Sequence, residues 1–166
     1  MTVRAVDRDP VALTLTIVSE FAAPAERVWQ VWADPRQLER WWGPPSFPAT
    51  VVDHDLSAGG RVAYYMTGPD GAMYRGWWRV IAVDPPRSLH FEDGFADEDG
   101  QPNEALPTAS VEVRLTTAAA ESTTMAIITR FATTADMEAF IAIGQDEGTI
   151  LAVGQIDAVL ATTIAP

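Results

Sequence analysis

The 166-residue chain predicts an α+β architecture: a curved antiparallel sheet of about seven strands wrapped round one long C-terminal helix, with two short helices after the first strand. Three observations carry this. Apolar and polar residues alternate with period two over most of residues 11–131, between strong turn signals. From Thr134 to Ala161 the period becomes helical. That helix is apolar over most of its girth, so it needs cover on several sides.

In order, Val11 to Glu20 alternates as a half-buried strand, with Val11, Leu13, Leu15 and Ile17 on one face. Ala23-Pro24 opens a helix whose core face is Val28, Trp29, Val31 and Trp32. Asp34-Pro35 starts a second, with Asp34 as N-cap and Gln37 as its capping-box partner. It runs to Trp41-Trp42 and stops at Gly43-Pro44-Pro45. Strands follow over 49–56, 61–67, 73–83 and 87–95, the second and third joined by the Gly68-Pro69-Asp70-Gly71 turn. Residues 96–107 are acidic and broken by Gly100, Pro102 and Pro107, which predicts a mobile loop. Strands over 108–117 and 123–132 complete the sheet.

The last helix is capped by Thr133 or Thr134, with Asp136 and Glu138 in its first turn. Met137, Phe140, Ile141, Gly144, Gly148, Leu151 and Ala158 form one apolar row. Ile143, Ile150, Val153, Ile156, Val159 and Leu160 form a second. With no proline before Pro166, a continuous helix would run about 40 Å. Gly144, Gly148 and Gly154 each cost about 1 kcal/mol against alanine inside a helix. They mark a close backbone approach, a kink, or room left for a ligand.

The length predicts a single domain, residues 1–166, large enough for a real core. A net charge of −12 with no basic cluster argues against nucleic acid and anionic membranes as partners. All basic residues are arginine, so lysine Schiff-base chemistry is excluded, and the lack of cysteine excludes thiol catalysis and disulfides. No signal-peptide pattern and no run of about 20 apolar residues is present, which predicts a cytoplasmic protein.

No nucleophile elbow, phosphate loop or dinucleotide fingerprint occurs. With two histidines, no metal site and no cofactor are expected; Asp53, His54 and Asp55 alternate faces on a strand and cannot converge. The ligand-facing candidates are therefore aromatic and polar residues of the inner faces. Trp41 and Trp42 sit beside a Pro/Gly loop with Phe47, one ring sealing the core and the other at a cavity mouth. Val62, Tyr64 and Met66 share one strand face; Trp78 is the inward ring of its strand, while Trp77 lies outward beneath Arg75 and Arg79 as a cation–π contact. Phe91, Asp93 and Phe95 share another face. Asp93 is either a cavity carboxylate with a raised pKa or, the plainer reading, the first residue of the acidic loop after the strand has ended. Glu147, between Gly144 and Gly148, is either surface-exposed and salt-bridged or a second cavity carboxylate able to share acid/base work with Asp93.

Several runs together resemble a known superfamily. They are Ala23-Pro24-Ala25-Glu26-Arg27-Val28-Trp29, Asp34-Pro35, Trp41-Trp42-Gly43-Pro44, Asp55-Leu56 before Gly59-Gly60-Arg61, Gly68-Pro69-Asp70-Gly71, Asp84-Pro85-Pro86, and Gly144-Gln145-Asp146-Glu147-Gly148. The chain is similar to the START-like helix-grip (SRPBCC) superfamily, in its AHSA-type branch, over nearly all residues after 10. Asp93 stands where many members carry tryptophan, and Ser57 where the branch often has arginine. The resemblance implies binding of a small hydrophobic or aromatic molecule between sheet and helix. It also leaves open an enzyme of cyclase, dehydratase or hydrolase type, and a chaperone ATPase cofactor. Catalytic residues remain unassigned, and an exposed aromatic patch would support a homodimer.

Overall fold

The computed structural model describes residues 3–162. β1 (Val3–Asp9) and β2 (Thr14–Phe21) form an N-terminal hairpin. The Asp9 carboxylate accepts the Val11 and Ala12 N–H groups, each at 3.0 Å, and so takes those amides out of any ladder. Residues 11–13 are therefore turn, not the start of the strand that alternation alone suggests. β1 itself was not legible. Its Arg4, Asp7 and Arg8 are compatible with a strand only because it lies at a sheet edge, where charge is tolerated.

α1 (Ala25–Ala33) begins after Pro24, and α2 (Pro35–Trp41) after Asp34. The Asp34 carboxylate accepts the Arg36 N–H at 2.9 Å and the Gln37 side-chain amide at 2.9 Å. Gln37 thus closes the expected capping arrangement through the cap's side chain instead of its backbone. At the other end, Gln155 Nε2 donates to the Trp41 and Gly43 carbonyls at 3.3 and 2.7 Å, satisfying acceptors that α2 leaves open.

Six further strands follow: β3 (Ala49–His54), β4 (Arg61–Thr67), β5 (Met73–Asp84), β6 (Ser88–Phe95), β7 (Ala109–Ala119) and β8 (Ser122–Phe131). Among the described residues the sheet has eight antiparallel strands in the order β1-β2-β8-β7-β6-β5-β4-β3, one more than expected. One face carries Leu15, Ile17, Val62, Trp78, Leu89, Phe91, Val113, Met125 and Ile127, all buried against the helices.

The expected C-terminal rod is broken into α3 (Thr134–Ala142), α4 (Gln145–Val153) and α5 (Ile156–Leu160). Gly144 adopts φ +81°, a left-handed conformation that ends α3. The second break falls at Gly154-Gln155. Because the axis bends, the two apolar rows find different partners. Ala152, Val153, Ile156 and Val159 join the aromatic core, whereas Met137 of α3 joins Leu15, Ile17 and Phe131 in a second cluster. Ile143 and Leu151, counted in those rows, stay 66% and 56% exposed. Among the described residues no helix is long and apolar enough to cross a membrane.

Candidate functional site

Burial along the inner face is uneven. On β4, Val62 is fully buried, but Tyr64 and Met66 are only half-buried. On β6, Leu89 and Phe91 are fully buried, but Asp93 and Phe95 are half-buried. On β7, Val113 is buried and Ala109 half-buried. The registers Tyr64↔Gly76, Phe95↔Gly76 and Asp93↔Ala109 put these half-open positions at the same end of the sheet. The sheet's inner surface is thus sealed at one end and open as a crevice at the other.

Beneath these half-buried positions the core is aromatic and closed. Trp78 and Phe91 stack with centroids 4.0 Å apart and planes at 18°. Trp42 meets Trp78 edge-on at 4.8 Å and Tyr64 at 6.0 Å. Trp32 and Trp41 continue the cluster behind, edge-on at 4.7 Å. Such pairs add about 0.5–1.5 kcal/mol each beyond simple burial. Gly76 makes the Tyr64 position available: a Cβ there would lie 2.4 Å from the Tyr64 ring. The deepest part of the space between sheet and helices is filled by these rings, with Trp32, Trp41, Trp78 and Phe91 fully buried. Two shallow surface hollows, about 270 and 180 Å³, lie elsewhere, one lined by Arg4, Glu20 and Phe21 and the other by Arg27, Arg36 and Arg40.

Asp93 is the polar group of the crevice. β6 continues through Phe95, and Asp93 sits in register with Trp78 and Ala109, on the inner face beside Phe91. The plainer reading, in which the strand had already ended, is overturned. Burial pushes the Asp93 carboxyl up to about 7, opposed by hydrogen bonds from the Tyr64 hydroxyl and the Gly94 N–H. The Tyr64 hydroxyl donates to Asp93 Oδ1 at 3.3 Å. Burial first, and then the Asp93 charge, raise the Tyr64 pKa well above its ordinary value.

The other candidates divide. Trp41 is fully buried and donates its indole N–H to the Val31 carbonyl at 2.9 Å, so it is a core ring, while Trp42 is the half-buried one. Met66 and Phe95 border the open end, and Val62 lies at the sealed one. Phe47 stands edge-on to the exposed Tyr74 at 5.8 Å. Gly148 faces the loop leading out of Trp42, with Pro44 Cγ 3.9 Å from where a Cβ would stand. Gly144 is exposed at the helix break and lines nothing. Glu147 follows the surface reading and not the cavity one: its side chain is 69% exposed and pairs with Arg8 at 3.2 Å. Arg8 is on β1, four strands from β6, about 19 Å across a flat sheet. The two-carboxylate scheme therefore has no geometry behind it. The cation–π contact also differs, for Arg75 lies over Tyr65 at 5.4 Å, and Trp77 instead donates to the Phe95 carbonyl at 2.9 Å.

Sequence reasoning missed the tie between Arg8 and Asp146. Asp146 is 3% exposed and receives Arg8 at 2.8–2.9 Å, pinning the start of α4 to the edge strand. An unexplained acid on the apolar side of the helix was the available signal. His54 Nε2 donates to the Trp32 carbonyl at 3.0 Å. Among the described residues no three metal-ligating side chains gather.

Comparison with known proteins agrees with this architecture. A family model described as "Activator of Hsp90 ATPase homolog 1-like protein" matches residues 22–161. Protein Ms6760 of Mycobacterium smegmatis is 50% identical, with 98% of this chain and 99% of that one covered and a TM-score of 0.88. A protein of Arthrobacter aurescens is 48% identical, covering 96% and 92%, with a TM-score of 0.92. CalU16 of Micromonospora echinospora, 19% identical over 97% and 87% with a TM-score of 0.62, shares the fold alone. No curated protein matches the chain.

Proposed function

The chain belongs to the activator of Hsp90 ATPase homolog 1-like family, and from that premise we propose that it binds a small hydrophobic or aromatic molecule in the crevice between β4–β6 and the α4 side of the fold. The observation that carries this reading is the half-buried group Trp42, Tyr64, Met66, Asp93 and Phe95 at one end of the sheet, while the other end is sealed. Apolar contact at about 25 cal/mol per Å² supplies micromolar affinity without any chemistry. Gly148 keeps the approach past Pro44 clear.

The test is native mass spectrometry of the protein purified from its own cells, alongside Gly148→Phe. A Cβ at 148 meets nothing closer than Pro44 Cγ at 3.9 Å, so the backbone position accepts a side chain, and a thermal melt beside the parent checks that the variant is folded. A retained small molecule in the parent that is lost from the variant supports the reading. A guest held equally by both would place binding elsewhere and sink it.

One observation favours a second reading, an enzyme. With its pKa near 7 and the Tyr64 hydroxyl in contact, Asp93 can give or take a proton at neutral pH. A turnover whose rate follows one ionisation near 7 and disappears in Asp93→Asn would establish it; a rate unaffected by that substitution would exclude Asp93 as the group.

A further inference from the structure

The sequence holds no run of basic residues, yet folding gathers three arginines around one surface hollow of about 180 Å³. Arg27 comes from α1, Arg36 and Arg40 come from α2, and Val159 of α5 and Thr162 complete the wall. Among the described lining residues Asp34 is the one carboxylate. Both its oxygens are committed, one to the Arg36 N–H and one to the Gln37 amide. Arg36 is matched by Glu39 at 3.3 Å and also donates to the Val51 carbonyl at 2.9 Å.

Arg27 and Arg40 are not matched. Among the described residues neither belongs to an ion pair. Arg27 donates to the Gln37 side-chain oxygen at 2.7 Å and to the Val159 carbonyl at 3.0 Å. Arg40 donates to the Thr162 hydroxyl at 3.1 Å. These acceptors are neutral, so they orient the guanidinium groups and leave their charge uncompensated. A guanidinium also carries more N–H donors than these bonds use. The two charges feel each other: burial first, and then the Arg40 charge, lower the Arg27 pKa, with Asp34 opposing. In the other surface hollow the arginine is met, for Arg4 faces Glu20 at 4.0 Å.

That charge narrows what fits. In a protein of net charge −12, a pair of uncompensated arginines is a local exception to a field that repels anions. A phosphate monoester carries about 1.5–2 negative charges at pH 7 and presents oxygens to several sides. It can therefore meet two guanidinium forks that arrive from different helices. A carboxylate has one charge and both oxygens in one plane, which a single arginine satisfies.

We propose that Arg27 and Arg40 form a binding site for a phosphate group, free or carried as a monoester on a small molecule. Gln37, Val159 and Thr162 already hold the two guanidinium groups, so little ordering is needed on binding. The site shares no lining residue with the crevice and stands whether or not the crevice is filled.

The test titrates the ¹⁵N-labelled full chain with sodium phosphate, against sodium chloride at matched ionic strength, and follows the arginine Nε–H resonances. The expected result is saturable movement of the Arg27 and Arg40 resonances with phosphate alone, at a roughly millimolar dissociation constant. Arg40→Gln should weaken phosphate binding about tenfold. Arg40 is exposed, so its replacement leaves the core untouched. Methyl phosphate separates the two sources: tighter binding than inorganic phosphate assigns the site to a carried group, weaker binding to the free ion, and either supports the site. Movement that chloride reproduces would overturn the proposal, as would acetate binding equal to that of phosphate. Unchanged phosphate binding in Arg40→Gln would overturn it too.

Discussion

The two halves of the sheet are built to different standards. Under β4–β7, α1 and α2 press four fully buried large rings and aliphatics together, with Trp32, Trp41, Trp78 and Phe91 all essentially inaccessible. Under β1, β2 and β8, the second cluster is small: Leu15, Ile17, Phe131 and Met137, with Phe140, Ile141 and Ile150 only partly covered. The polar groups follow the opposite rule. The aromatic half hides a carboxyl with no cation, Asp93, whereas the aliphatic half hides one tied to Arg8, Asp146. The aromatic half holds its acid at the half-buried end, where the Tyr64 hydroxyl donates to it. A thinly packed region needs an ion pair to hold its helix. The lesson is that the two buried acids are held by different means, a tyrosine hydroxyl in the aromatic half and an arginine in the aliphatic half.

Four substitutions test that contrast. Trp78→Ala should cost the most, about 3–5 kcal/mol by chemical denaturation, through lost burial and the hollow left in the ring stack. A cost near 1 kcal/mol would mean the aromatic half is not the stronger one. Arg8→Ala should cost about 2–3 kcal/mol, because Asp146 remains buried without its partner, and amide exchange should quicken first in α4. Exchange that quickens evenly through the sheet would deny Arg8 this local task.

Asp93→Asn is sensitive to pH. The folded carboxyl is raised to about 7 and the unfolded one titrates near 4, so the folded state binds the proton more tightly. Asp93 therefore withdraws stability as pH climbs from about 4 to about 7, and below about 4 it has no effect. Relative to the parent, Asp93→Asn should gain up to about 4 kcal/mol at pH 8 and little at pH 4. A gain independent of pH would show that Asp93 is not held as described. Phe140→Ala should have the smallest effect, about 1–2 kcal/mol, since its ring meets Phe131 at 5.0 Å but is only partly covered. A loss as large as that of Trp78→Ala would erase the difference between the halves.

Much of this was legible in order along the chain. Strand faces, the Asp34 cap and the Gly68–Gly71 turn depend on contacts within a few residues, and local spacing reports them. Trp78, Phe91 and Asp93 could be assigned to inner faces by parity alone, once their strands were known to continue. Where parity failed, a distant partner had decided the matter. β1 was hidden by its charges, Glu147 was drawn outward by Arg8, and the Arg75 guanidinium found Tyr65, directly opposite on the neighbouring strand, instead of Trp77 on its own strand.

By itself, the sequence determined the α+β class, the antiparallel sheet with its apolar inner face, and the family, because periodicity and turn chemistry are properties of short stretches. Only tertiary structure decided that the terminal helix bends at Gly144 and that Asp93 stays on the inner face, met by the Tyr64 hydroxyl and by no cation. Those outcomes are set by which surfaces compete for the same space, and no window of neighbouring residues contains that competition.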